Sequence, residues 1–130
     1  MALISIYILE FYEIGAFKTC EQSVKFNNEL EALSVFDDRF LLIGTEGNVE
    51  FYDSKNFKNV KTIFIRDDVK LIYVNQNKVY IACEWDIANE YEIDNDGNYN
   101  LISFIPLENK QINDITIVKD GRLITCTGKI

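Results

Sequence analysis

The chain has 130 residues, of which 48% are apolar and 13% aromatic, with a single proline. This composition excludes a disordered chain and suits one ordinary domain with a buried core. The formal net charge of −8 argues against nucleic acid or an anionic membrane surface as a partner, because both reward clustered Lys and Arg, and it favours a basic partner. The weighting towards Phe, Tyr, Ile and Val favours strands over helices.

The first predicted element is a strand in the apolar start ALISIYIL. This start has no basic n-region or cleavage site and is too short to cross a bilayer as a helix. The chain lacks histidine, and Cys20, Cys83 and Cys126 are widely spaced without a CxxC pair. We therefore predict buried free thiols, no metal, no cofactor, and a cytoplasmic or nuclear location.

A duplicated phrase follows that start. ILEFYEIGAFK at residues 8–18 is similar to NVEFYDSKNFK at 48–58, an offset of 40. A second set of similar segments consists of two apolar runs around a polar turn, and the turns read FDDR, NQNK and KDGR. Each segment predicts a β-hairpin. The three segments cover residues 33–45, 71–83 and 114–126, and align without gaps at offsets of 39 and 44.

A shorter pair of strands follows each of the first two hairpins. These pairs are NVEFYD with VKTIFI, and ANEYEID with YNLISFI. A four-stranded antiparallel unit that repeats every 39 to 44 residues has the period of a β-propeller blade. We predict an all-β fold of about three such blades, incomplete or completed by oligomerisation. The predicted sections are 1–28, the end of one blade; 29–66, the second; 67–110, the third; and 111–130, the start of the next.

The strand endings VEFYD and YEIDN resemble the closing strand of WD-repeat blades, and GTEGNVEFYD is the most typical piece. The resemblance covers essentially the whole chain. The sequence has no Trp-Asp dipeptide at these strand ends and no histidine for a Gly-His element, so the family's hydrogen-bonded tetrad cannot form. The resemblance implies a non-enzymatic scaffold for protein–protein interaction.

Three blades fall below the four to eight of ordinary closed rings. The chain is therefore expected to be a segment of a longer propeller, to be completed by a different subunit in a larger complex, or to assemble with itself. A homodimer would supply six blades, and closed two-fold dimers are the commonest oligomers. A further alternative is that the chain is one structural section of a larger assembly.

The predicted partner-binding face carries the connections between the second and third strands of each blade and those between successive blades. There, CEWDIAN at 83–89 replaces a compact turn and holds the only tryptophan. An exposed Trp85 surrounded by acidic side chains suits a partner that inserts an apolar side chain and has basic residues on either side of it. The alternative is that Trp85 packs against a neighbouring blade. The predicted site comprises Glu46, Arg66, Asp67, Glu84, Trp85, Asp86, Glu108 and Lys110.

Catalysis has little support. Without histidine, Ser-His and Cys-His pairs are excluded. The paired carboxylates are predicted to cap turns, where Asp is favoured; they are Asp37-Asp38, Asp67-Asp68 and Asp94-Asp96. We predict no enzymatic activity. The alternative function is a propeller with a small-ligand, glycan-binding or hydrolytic site built from these loop carboxylates.

Overall fold

The computed structural model describes residues 7–12, 20–26, 29–83, 87–106 and 110–129. The prediction of an all-β fold is confirmed, because the regular structure in these ranges consists of strands. None of the described segments is a helix that could cross a membrane. The strands are β1 Tyr7–Tyr12, β2 Cys20–Phe26, β3 Ala32–Phe36, β4 Phe40–Gly44, β5 Glu46–Asp53, β6 Asn59–Asn75, β7 Lys78–Cys83, β8 Ile87–Ile93, β9 Tyr99–Pro106, β10 Lys110–Ile117 and β11 Leu123–Lys129.

The chain divides into two compact units, Met1–Leu30 and Glu31–Ile130. In the first unit, β1 and β2 form an antiparallel pair. In the second unit, β3 to β9 form one sheet in chain order, and β10 and β11 form a separate antiparallel pair.

The strand β6 divides the large sheet into two four-stranded parts. Its first part pairs with β5 and its second part pairs with β7. We call the first part, with β3, β4 and β5, sheet 1, and the second part, with β7, β8 and β9, sheet 2. Each sheet is therefore an antiparallel meander of four strands, and the two are joined by a continuous strand.

The three predicted hairpins are present, but their turns differ in length. The closing pairs are Phe36 with Phe40, Asn75 with Lys78, and Ile117 with Leu123. Val118 N–H also donates to the carbonyl of Arg122 at 3.0 Å, so the turns span residues 37–39, 76–77 and 119–121. For this reason the gapless alignment of the three hairpins on their turns does not hold in the structure.

The connection predicted between two blades at Arg66 and Asp67 is not a separate loop. Both residues lie within β6, in an irregular stretch of its pairing with β5 between Phe64 and Asp68, where Arg66 has a φ of 68°. A non-glycine residue in this left-handed region is uncommon. The strand then passes from sheet 1 to sheet 2 without interruption, since Asp68 still pairs with β5 and Val69 pairs with β7.

An apolar core lies between the inner faces of sheets 1 and 2. The sheets approach closely at Gly44, where an added Cβ would lie 2.6 Å from Val69 Cγ1, so a larger residue would need Val69 or the strands to shift. Buried side chains of both sheets belong to one cluster, which shows that the sheets pack face to face. The members include Leu42, Val49, Phe51 and Ile63 from sheet 1, with Val69, Ile72, Val79, Ile81 and Ile93 from sheet 2.

The other face of sheet 2 packs against β10. Ala82 and Ala88 are buried there together with Ile112. Small side chains in sheet 2 leave room for the isoleucine. Sheet 2 therefore lies between sheet 1 and the β10–β11 pair.

The prediction of buried thiols is correct for Cys83 and wrong for Cys126. Cys83 is 4% exposed in the core, whereas Cys126 is exposed. Cys126 lies on β11, which pairs on one side only, with β10, among the described strands. Side chains of an edge strand have neighbours on one side only, so Cys126 on β11 is less covered than Cys83 on the central strand β7.

Candidate functional site

The predicted loop face is described for three of its eight residues with their side chains. Glu46 and Arg66 are exposed and Asp67 is half-buried. Glu46 lies opposite Asp68 in the register of β5 and β6. The structure therefore brings these charges together at one end of sheet 1, which we call the loop end.

The main chain of the loop end is held by hydrogen bonds around Thr45. Thr45 is 1% exposed, and its N–H donates to the carbonyl of Asn48 at 2.9 Å. The carbonyl of Thr45 accepts the N–H of Val69 at 3.2 Å, which ties the turn to β6. Gly47 has a φ of 93°, a conformation that glycine adopts without strain. The turn between β4 and β5 is thus held by hydrogen bonds to both β5 and β6.

The remaining predicted residues are outside this description. Glu84, Trp85, Asp86 and Glu108 are not among the described residues, and Lys110 is described only as the first residue of β10. Both proposed roles of Trp85, as an exposed anchor or as a packing residue, therefore stay predictions.

Cys83, the last residue of β7, lies at the loop end as well, because it pairs with Val69 of β6. Burial, with the charges of Asp67 and Asp68 adding to it, raises the pKa of the Cys83 thiol to about 12. At neutral pH this thiol is protonated, so it has no nucleophilic role.

A cleft of about 430 Å³ opens at the opposite end of the sheets, between the β3–β4 turn and the β6–β7 turn. We call it the turn-end cleft. Apolar side chains form its floor and polar side chains its rim. The floor consists of Phe36, Val74 and Ile93, and the rim consists of Asp37, Gln76, Asn77 and Asn95.

A second cleft, of about 590 Å³, lies one hairpin further along the chain. It opens between the β6–β7 turn and the β10–β11 turn, and Gln76 borders it as well. Its rim carries Lys119 where the turn-end cleft carries Asp37. Successive hairpins therefore enclose clefts at the same end of the second unit, and their rims carry different charged residues.

The carboxylates of Asp53 and Asp94 cap backbone N–H groups of their own turns. Asp94 Oδ1 accepts the N–H groups of Asp96 and Asn98, each at 2.9 Å. These hydrogen bonds lower the pKa of Asp94, and bonds from the N–H groups of Lys55 and Asn56 lower that of Asp53. A general acid needs the opposite shift, so neither carboxyl is suited to that role. Among the described residues, no three His, Cys, Asp or Glu side chains are grouped to hold a metal ion.

Sequence reasoning missed the turn-end cleft and its rim residues Gln76, Asn77 and Asn95. The available signal was the turn NQNK, which aligns with FDDR. This turn predicts a hairpin and no cleft, because a period in the sequence does not show which turns approach each other in space.

No protein-family model matches the sequence, and no curated protein matches it. Among solved structures, the chain is similar to a chain of the Kuenenia stuttgartiensis hydrazine synthase, with a TM-score of 0.56 and 14% sequence identity. The match covers 85% of this chain and 47% of that one, so this chain spans about half the length of its structural neighbour. At this identity the likeness concerns the fold alone.

Proposed function

We propose that this chain is part of a WD-repeat-like β-propeller and serves as a non-enzymatic scaffold that binds a protein or peptide partner through its loop end. The propeller assignment is supported by contacts between residues about one repeat apart. Lys70 Nζ lies 3.0 Å from Glu31 Oε2, 39 positions away, and Tyr73 Oη lies 3.5 Å from Thr116 Oγ1, 43 positions away. In both cases the first strand of one unit lies beside the first strand of the next, as in consecutive blades.

The observation that carries the binding function is the rigid support of exposed charge at the loop end. Glu46 lies in a turn whose main chain is tied through Thr45 to both β5 and β6, and Arg66 lies beside this turn on β6. Fixed loops on a sheet scaffold bind at a lower ordering cost than mobile loops.

The charge of the loop end indicates the kind of partner. Among the described residues of the loop end, Glu46, Asp67 and Asp68 supply three carboxylates and Arg66 supplies one guanidinium. The nearby Glu31 is neutralised by its ion pair with Lys70. The local excess of negative charge agrees with the overall charge of −8 and selects an extended or looped segment rich in Lys and Arg.

The test starts from peptides selected on the whole chain from a random display library. We expect Lys and Arg to be enriched in them, and Glu46→Lys to weaken their binding about two- to fivefold, the range for an exposed ion pair. The matched control is Asp96→Lys, which makes the same charge change in the exposed β8–β9 turn. Fluorescence polarisation gives both affinities. Selected peptides without a basic bias, or equal losses in the two variants, would contradict the proposal.

A further inference from the structure

We propose that the turn-end cleft binds a neutral polyhydroxylated small molecule of mono- to disaccharide size. This site lies at the opposite end of the sheets from the proposed protein-binding surface. It is therefore a second binding function that does not depend on the first.

The volume and the floor of the cleft fit such a ligand. A volume of about 430 Å³ lies within the range of small-molecule sites. Phe36 and Ile93 belong to the core and hold the floor in place, with Val74 beside them. Val74, which is partly exposed above the buried Phe36 and Ile93, offers apolar contact to the C–H face of a sugar ring.

The rim supplies both kinds of hydrogen-bonding group that a hydroxyl needs. The carboxylate of Asp37 accepts, while the amides of Gln76, Asn77 and Asn95 can each donate and accept. A hydroxyl group is itself both donor and acceptor, so this mixture matches it better than it matches a purely donating or purely accepting ligand.

Two rim groups are already oriented. Asn77 Nδ2 donates to Glu92 Oε1 at 3.1 Å, and Asp37 Oδ2 lies 3.3 Å from Arg39 Nε. These contacts limit the ordering cost of binding. The ion pair with Arg39 neutralises Asp37 and so favours a neutral ligand, whereas Lys119 in the second cleft favours an anionic one.

The backbone of Gln76 gives an independent reason to assign a role to this side chain. Gln76 has a φ of 55° in a two-residue turn, where glycine or asparagine would fit with less strain. Asp37 and Asp38 are also left-handed, with φ values of 51° and 52°. Aspartate tolerates this region, so the strained residue is Gln76, and its persistence at a cleft points to a use for its side chain.

The test is a two-dimensional amide NMR titration of the full chain with glucose, maltose and ethanolamine as separate probes. We expect one of the two sugars to shift the side-chain amide signals of Gln76, Asn77 and Asn95, and ethanolamine to leave them in place. Gln76→Gly keeps the turn but removes one amide, so we expect a loss of affinity of about two- to tenfold, the value of one hydrogen bond. Gln76→Asn retains an amide in a conformation that asparagine tolerates and controls for folding.

Several results would overturn the proposal. They are the absence of shifts with both sugars, shifts with ethanolamine alone, shifts confined to Lys119 and Gly121 in the second cleft, and an undiminished affinity in a folded Gln76→Gly protein. None of these results bears on the loop end, so the proposed protein-binding function is tested separately.

Discussion

Cys83 and Cys126 have the same side chain in two different environments. Burial and the charges of Asp67 and Asp68 raise the pKa of Cys83 to about 12, above the ordinary value of 9.0, while Cys126 is exposed. Because the thiolate is the reactive form, we expect N-ethylmaleimide to modify Cys126 in the native protein at neutral pH and to leave Cys83 unmodified. Mass spectrometry of a Cys20→Ser protein measures both sites.

The raised pKa of Cys83 also makes the stability of the fold depend on pH. A pKa that is raised in the folded state stabilises the fold below the pKa of the unfolded state, about 9, and this contribution is lost as the pH rises from there towards about 12. Unfolding in guanidinium should make Cys83 as reactive as Cys126, which serves as the control. If Cys83 reacts in the native protein at the rate of Cys126, its assigned environment is wrong.

Individual residues were predictable from the sequence where the chemistry is local. The capping role of Asp94 follows from the short range over which an aspartate meets its neighbouring amides, and the hydrogen bonds are present. The exposure of Cys126 and the cleft role proposed for Gln76 depend on which strands and turns come together in space. Composition and spacing carry no record of that.

Among the strands, the two faces of sheet 1 differ in their importance for stability. Phe51 on β5 is fully buried, whereas Phe64 on β6 is 74% exposed. We expect Phe51→Ala to lower the free energy of unfolding by about 3–5 kcal/mol, because it leaves a cavity in the core. Phe64→Ala is the matched control, with an expected change within about 0.5 kcal/mol. Urea unfolding measures both, and similar losses in the two variants would show that sheet 1 does not pack as described.

Strand positions were the most predictable part of the fold. Alternating apolar residues and turn residues identified the hairpins and the strand pairs that follow them. The continuity of β6 was missed, because Arg66, Asp67 and Asp68 form a polar interruption that is typical of a turn. In the structure these residues stay in the strand because β5 and β7 pair with it from opposite ends.

At the scale of the whole molecule, the repeat period is the feature that connects sequence to architecture. It predicted four-stranded antiparallel units, and the structure has two of them, joined by β6. The propeller assignment stays a proposal, and it depends on the order of packing: sheet 1 against sheet 2, and sheet 2 against the β10–β11 pair. This order also places the clefts of the turn end between successive hairpins.

The most direct test of this account is a nuclear Overhauser spectrum of the isotope-labelled chain. The stacked arrangement predicts a cross-peak between the Hα protons of Gly44 and a methyl group of Val69. It also predicts a cross-peak between the ring of Tyr73 and the methyl group of Thr116. The first reports the contact of sheet 1 with sheet 2, and the second reports the contact of sheet 2 with β10. A spectrum that shows the strand pairings within each sheet but neither cross-peak would contradict the stacked arrangement of the repeats.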